Sequence, residues 1–219
     1  MAAFLFYAMK RVIFYFDGFN FYNGLKDKSE LFPKWKNYYW LDLVKFCTEF
    51  LDKDHSLIKV KYFTAPPSDD KKRSRQSAFF SANKLLNGDL VEIINGKYQN
   101  KDIKCKKCTQ IFLGQEEKRT DVNIAISMLM DCVLNNTDIL VLISADSDQI
   151  PTLQTIKSNF PDKKVKVYFP PERSSTDILG ISKPIVFLGD NEQKFLNSIM
   201  STIVTNGVKT YTKPDNWKK

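Results

Sequence analysis

Two apolar runs end in acids. Residues 12–16 run into Asp17-Gly18-Phe19-Asn20, and residues 139–143 run into Ser144-Ala145-Asp146-Ser147-Asp148. A further acid, Asp121, opens the nearly all-apolar stretch 122–134. Taken alone, Asp121 reads as a helix cap, since a carboxylate there meets free N–H groups and the positive end of the dipole. Taken together, carboxylates sharing one cleft repel one another and lose hydration, a cost that no fold needs and that a divalent cation removes. Hard oxygen donors select Mg²⁺ or Mn²⁺. Such an ion acidifies water and polarises phosphate, so a phosphodiester can be hydrolysed without histidine.

Histidine is in fact scarce. His55 is the single one, in the polar stretch Asp52-Lys53-Asp54-His55, where it reads as a solvated loop residue. A two-histidine acid/base nuclease is therefore excluded, and a Ser-His-Asp triad would depend on this one ring. The eight glycines never fall as GxGxxG, and Gly96-Lys97 lacks the upstream glycine of a Walker loop. Dinucleotide binding and nucleotide hydrolysis have no motif to rest on.

The 219 residues carry 33 Lys plus Arg against 25 Asp plus Glu, a net charge of +8 that favours a polyanionic partner such as nucleic acid. Lys26, Lys28, Lys34 and Lys36 are interleaved with Phe32, Trp35, Tyr38 and Tyr39, in what reads as a loop after the first acid. Lys71, Lys72, Arg73 and Arg75 open a helical pattern whose other face carries Phe79, Phe80 and Leu85. A solvated amphipathic face would look the same, but cations among aromatic rings suit the phosphates and stacked bases of single-stranded RNA. The candidate RNA contacts are Lys26, Lys34, Lys36, Lys71, Lys72, Arg73, Arg75 and Arg119.

Four cysteines, Cys47, Cys105, Cys108 and Cys132, make no disulfide framework, and the expected compartment is the cytoplasm. Cys47 and Cys132 sit in apolar patterns. The pair Cys105-Lys106-Lys107-Cys108 reads as an ordinary hairpin, a zinc-knuckle remnant, or half of a zinc site shared with a second chain, which makes a homodimer a further partner expectation. The longest apolar run, residues 2–9, is far short of the ~20 residues of a spanning helix, so no membrane is expected. The first eight residues read as an extension ahead of Met9.

Positioning these residues requires an α/β fold. Short strands are predicted at 12–16, 57–63, 90–94, 139–143, 165–169 and 185–188, several without polar alternation, as parallel strands covered on both faces require. Helices are predicted at 41–51, 71–86, 120–134 and 147–159. The sum is a three-layer α/β/α sandwich around a mainly parallel sheet in a single domain, 10–189, followed by a helix over about 193–203 and a basic tail within 190–219. The acids at the strand ends converge if the first and fourth strands are neighbours.

Several ordered strings carry a family resemblance. Residues 11–22 (RVIFYFDGFNFY), 24–26, 40–43 (WLDL), 62–65 (YFTA), 116–123 (EEKRTDVN), 143–151 (ISADSDQIP) and 165–171 (VKVYFPP) resemble the NYN domain family, the PIN-like group that includes LabA-like proteins. The resemblance implies a PIN-like fold with sheet order 3-2-1-4-5 and Mg²⁺- or Mn²⁺-dependent ribonuclease activity in active members. By motif position, Asp17, Asp121, Asp146 and Asp148 are the implied metal-site carboxylates. Asn20 is the implied amide orienting a phosphate or water, Ser144 the hydroxyl at the pocket floor, and Glu117 an outer acid. One departure is visible: the family's usual Ser-Gly-Asp-Ser-Asp is here Ser144-Ala145-Asp146-Ser147-Asp148, which matters if that loop needs a positive φ.

The expected function is a metal-dependent ribonuclease acting on single-stranded RNA. Two alternatives remain open: an RNA- or partner-binding module without catalysis, and a DxD glycosyltransferase using Asp146 and Asp148, which would leave Asp17 and Asp121 unexplained.

Overall fold

The computed structural model describes residues 9–104 and 110–217. Residues 1–8 and the pair Cys105 and Cys108, with the extension and zinc readings attached to them, lie outside the described residues.

The chain first lays down β1 (Lys10–Asp17), β2 (His55–Thr64) and β3 (Val91–Asn95), then an antiparallel hairpin of β4 (Lys97–Lys104) and β5 (Ile111–Lys118). It continues with β6 (Ile139–Ile143), β7 (Lys164–Phe169) and β8 (Ile185–Phe187). Apart from the hairpin these form one six-stranded sheet in the order β3-β2-β1-β6-β7-β8, every neighbouring pair parallel. The order agrees with the implied 3-2-1-4-5, extended by one strand.

Strand pleating explains the layers. In β1, Val12, Phe14 and Phe16 enter one buried cluster while Ile13 and Tyr15 enter another, because successive side chains point to opposite faces. β6 divides the same way, with Val141 and Ile143 opposite Leu140 and Leu142. The first face is covered by α1 (Gly18–Leu31), α2 (Leu43–Thr48) and α3 (Asp70–Asn87), through Phe21, Leu25, Phe46 and Phe79. The second is covered by α4 (Thr120–Val133), α5 (Ile150–Asn159) and α6 (Thr176–Ile181), through Ile124, Met128, Leu153, Ile156 and Ile178. No helix among the described residues is long and apolar enough to cross a membrane.

Four local expectations change. The stretch after the first acid is not a loop but α1, capped by the Asp17 carboxylate accepting the Asn20 N–H at 3.0 Å, with Phe21 and Leu25 buried one helical turn apart. The 3-10 turns at Pro33–Tyr39 then bury Trp35 and Tyr38, so these two rings belong to the core and not to a loop open to solvent. His55 is no solvated loop residue: it opens β2, its ring is largely covered, and Nδ1 accepts the Asp52 N–H at 3.2 Å.

The fourth change is at the C-terminus. The predicted helix over 193–203 stops early, as α7 (Glu192–Asn197), and the tail folds into a hairpin of β9 (Ile203–Thr205) and β10 (Thr210–Thr212). β-Branched residues 202–205 favour a strand over a helix, and Gly207, at φ +85°, closes the turn. This segment is part of the core. Phe195 is fully buried and meets Phe21, Trp35, Tyr38 and Phe46, and Trp217 packs on Tyr39, Trp40 and Phe79. Phe195→Ala is accordingly expected to cost about 3–5 kcal/mol in a denaturant titration. A loss within error of zero would mean that the C-terminal segment is merely appended.

Candidate metal centre

Strand order reverses between β1 and β6, since the chain adds β2 and β3 on one side and β7 and β8 on the other. In open α/β sheets the crevice outside the carboxyl ends at such a reversal is where ligands bind. Asp17 is the last residue of β1, and Ser144 to Asp148 follow directly on β6. Asp121, in the first turn of α4, arrives from the second face. Carboxylate oxygens of Asp17, Asp121 and Asp146 all lie within 4.8 Å of one another. Asp148 falls outside that group: it is exposed, and its backbone N–H donates to Asp146 Oδ1 at 3.0 Å.

The group is tightly held. Ser144 Oγ donates to Asp17 Oδ2 at 2.7 Å and accepts the Asp146 N–H at 3.0 Å, so one hydroxyl positions two of the acids. Asn20 Oδ1 accepts the Ala145 N–H at 3.2 Å, which ties α1 to the loop after β6. Gln149, fully buried and unremarked at the level of sequence, donates through Nε2 to Asp121 Oδ1 at 3.3 Å. Its Oε1 is buried without a partner. Its only sequence signal was its place directly after Asp148.

No lysine or arginine among the described residues pairs with these acids, and their electrostatics show it. Burial pushes the Asp17 carboxyl up to about 6, against the pull of the Asn20 N–H and the Ser144 hydroxyl, and with added repulsion from Asp121 and Asp146. Asp121 is raised as well, first by desolvation and then by Asp146.

The loop geometry accepts Ala145. Among the described residues positive φ at non-glycine positions occurs at Arg119, Asn135 and Glu172, so the methyl of Ala145 meets no backbone penalty. Arg119, at φ +77°, precedes α4 in the left-handed region. Beside it, a Cβ added to Gly96 would lie 2.6 Å from Thr120 Oγ1 and 2.8 Å from the Lys118 carbonyl. Close approach of this glycine therefore seats the turn that delivers Asp121. The side chain of Glu117 lies outside the described residues.

The proposed RNA contacts divide. Lys26, Lys72 and Arg75 line a cavity of about 400 Å³ that begins at Gly18 and Phe19, one residue beyond Asp17. Arg73 instead closes on the carbonyls of Pro67 and Ser68, and Lys34 on Glu192. Lys36, Lys71 and Arg119 are exposed.

The NYN domain profile matches residues 11–182, and the chain belongs to the NYN domain family, with its nuclease-like fold. A protein of Pseudomonas putida named 6-hydroxy-3-succinoylpyridine 3-monooxygenase HspA is 25% identical over 245 aligned positions, covering 94% of this chain and 75% of that protein. A crystal structure of a protein of unknown function from Vibrio parahaemolyticus aligns with a TM-score of 0.51 at 17% identity, over 82% of this chain and 93% of that one. That likeness concerns the fold.

The raised Asp17 carboxyl has a consequence for stability. A group whose folded pKa lies above its ordinary value of 3.8 binds its proton more tightly in the native state, so its contribution is fully present below 3.8 and is lost as pH rises through about 6. Asp17→Asn should therefore stabilise the metal-free protein at pH 7 by about 1–2 kcal/mol and have little effect at pH 4. Thermal melts in EDTA at both pH values check this; an equal or lower melting temperature for the variant at pH 7 would contradict it.

Proposed function

We propose that the protein is a metal-dependent ribonuclease that hydrolyses phosphodiester bonds of single-stranded RNA in the cytoplasm. The observation that carries the reading is the convergence of three carboxylates with no cationic partner among the described residues. The donor set fits Mg²⁺ or Mn²⁺: it is all oxygen, lacks histidine and cysteine, and stands beside the partnerless Oε1 of Gln149. Asp17, Asp121 and Asp146 would hold the ion, with Asp148 at the rim. An ion held there supplies Lewis-acid polarisation of a phosphodiester and a more acidic water.

The chain's own residues do the positioning. The Ser144 hydroxyl and the Asn20 backbone N–H fix Asp17, the Asp148 N–H fixes one oxygen of Asp146, and Gln149 aims Asp121. Preorganisation of this kind removes the cost of gathering carboxylates when substrate arrives. The net charge of +8 draws a phosphate chain towards the crevice. NYN domains generally act on RNA, which supports RNA as the polyanion. The free, buried thiols of Cys47 and Cys132 support a reducing compartment. A DxD sugar-nucleotide site is disfavoured because it would leave Asp17 and Asp121, which converge with Asp146, without a role.

The monooxygenase relative suggests a second reading, a site for a small aromatic acid, and the aromatic cavity beside the carboxylates is the observation that favours it. RNA cleavage tests the first reading directly. Labelled single-stranded RNA should be cleaved with Mn²⁺ or Mg²⁺, not in EDTA, and Asp146→Asn should slow cleavage roughly 10²–10³-fold while retaining RNA affinity at low salt. Undiminished activity of the variant would overturn the site. No cleavage under any metal, with salt-sensitive binding retained, would make the protein a binding module.

A further inference from the structure

The cavity beginning at Gly18 is walled by an unbroken run of aromatic rings. Tyr22 meets Tyr39 (5.5 Å between centroids), Tyr39 meets Trp217 (5.6 Å), Trp217 meets Phe79 (6.4 Å), Phe79 meets Phe80 (5.2 Å), and Phe80 meets Tyr62 (5.1 Å). All six line the same space of about 400 Å³, within the size range of small-ligand pockets. Tyr62, Phe79 and Trp217 are buried and form the back of the cluster, which fronts an open volume on the side of Tyr22, itself 42% exposed. Flat walls of this kind complement a planar π-system, which gains by offset or edge stacking.

The same cavity also carries charged side chains. Lys72 and Arg75 line it together with Asp69, whose carboxylate caps α3 by accepting the Lys72 N–H, and neither cation forms an ion pair among the described residues, unlike Lys28 with Glu172 or Lys34 with Glu192. Two cations against one acid beside aromatic walls fit a ligand that is planar at one end and anionic at the other. The position adds a constraint, because Gly18 belongs to this wall and directly follows Asp17. Tyr62 reinforces the junction by donating from its hydroxyl to the Gly18 carbonyl at 3.4 Å. A Cβ on Gly18 would lie 2.3 Å from the Tyr62 ring, so wall and acid centre meet without an intervening side chain. On the far side, Gln76 and Phe80 are shared with a second cavity of about 580 Å³, which adds Arg73, Lys84 and Lys209.

We propose that the aromatic cavity is a nucleobase subsite. It takes one unstacked base of a single-stranded RNA next to the acid centre, with the flanking phosphates on Lys72 and Arg75 and the strand continuing over α3 into the second cavity. This rests on the ribonuclease reading and gives it a substrate geometry: a single strand, because a paired base cannot leave its stack without cost. Stacking on aromatic side chains is sequence-tolerant, so the subsite selects strandedness more than sequence.

The test is fluorescence titration of a short single-stranded RNA carrying 2-aminopurine, in EDTA so that nothing is cut, alongside the metal-dependent cleavage assay on the same proteins. Wild type should quench the probe on binding. Tyr22→Ala should weaken binding roughly 5- to 150-fold and abolish quenching, whereas Tyr22→Phe, which keeps the ring, should retain both. Arg75→Glu should weaken binding and reduce its salt dependence, while Lys164→Glu, the same charge change on an exposed residue at the amino end of β7, should leave quenching intact. Unchanged quenching and affinity in Tyr22→Ala, with wild type still cleaving RNA, would overturn the subsite and leave the ribonuclease standing. Failure of wild type both to bind and to cleave RNA would overturn the two together.

Discussion

One carboxylate ties together the elements that make the crevice. Asp17 ends β1, caps α1 by accepting the Asn20 N–H, and accepts the Ser144 hydroxyl from the loop after β6. Its burial at 4% exposure is what makes the arrangement costly, because a buried anion loses hydration that two hydrogen bonds replace only in part. Asp121 and Asp146 deepen the cost by repulsion. A fold selected for stability alone would place a neutral cap there. The fold instead holds three acids within 4.8 Å by a hydroxyl, backbone amides and a buried glutamine, an arrangement that makes sense once a cation completes it.

The aromatic cavity depends on the same turn. Helix α1 starts at Gly18 because Asp17 caps it, and Gly18 has no side chain, so the Tyr62 ring can close against the helix start. The acid centre and the ring-lined wall thus share a backbone segment and cannot move independently. The C-terminal segment completes this wall through Trp217, while Phe195 packs beneath Trp35 and Tyr38. Residues 191–217 therefore help to shape the crevice.

The parallel sheet and the acids at its edge were legible because their signals are local. Apolar runs such as Ile139–Ile143, buried on both faces, need no partner to be recognised, and an acid after such a run falls at the carboxyl edge whatever surrounds it. Helix α1 was not legible, since lysines and an asparagine interrupt its apolar face and its cap is itself a site residue. The early end of α7 was readable in part, from the β-branched residues after Ser201 and the Asn206-Gly207 turn. The exclusion of Asp148 from the convergent group was not, because two acids one residue apart differ only in which way the loop turns them. The ring wall joins residues 22, 39, 62, 79, 80 and 217, separations over which a single sequence carries no contact information.

The central claim is that the three converging carboxylates hold a divalent cation. Its most direct measurement is Mn²⁺ binding at pH 7, followed by electron paramagnetic resonance of the free ion, for wild type, Asp121→Asn and Ser144→Ala. The account predicts saturable binding by wild type, loss in Asp121→Asn, and an affinity lowered about 10–100-fold in Ser144→Ala, which removes only the hydroxyl that positions Asp17 and Asp146. Wild type without saturable binding at millimolar Mn²⁺, or Asp121→Asn binding as tightly as wild type, would contradict it.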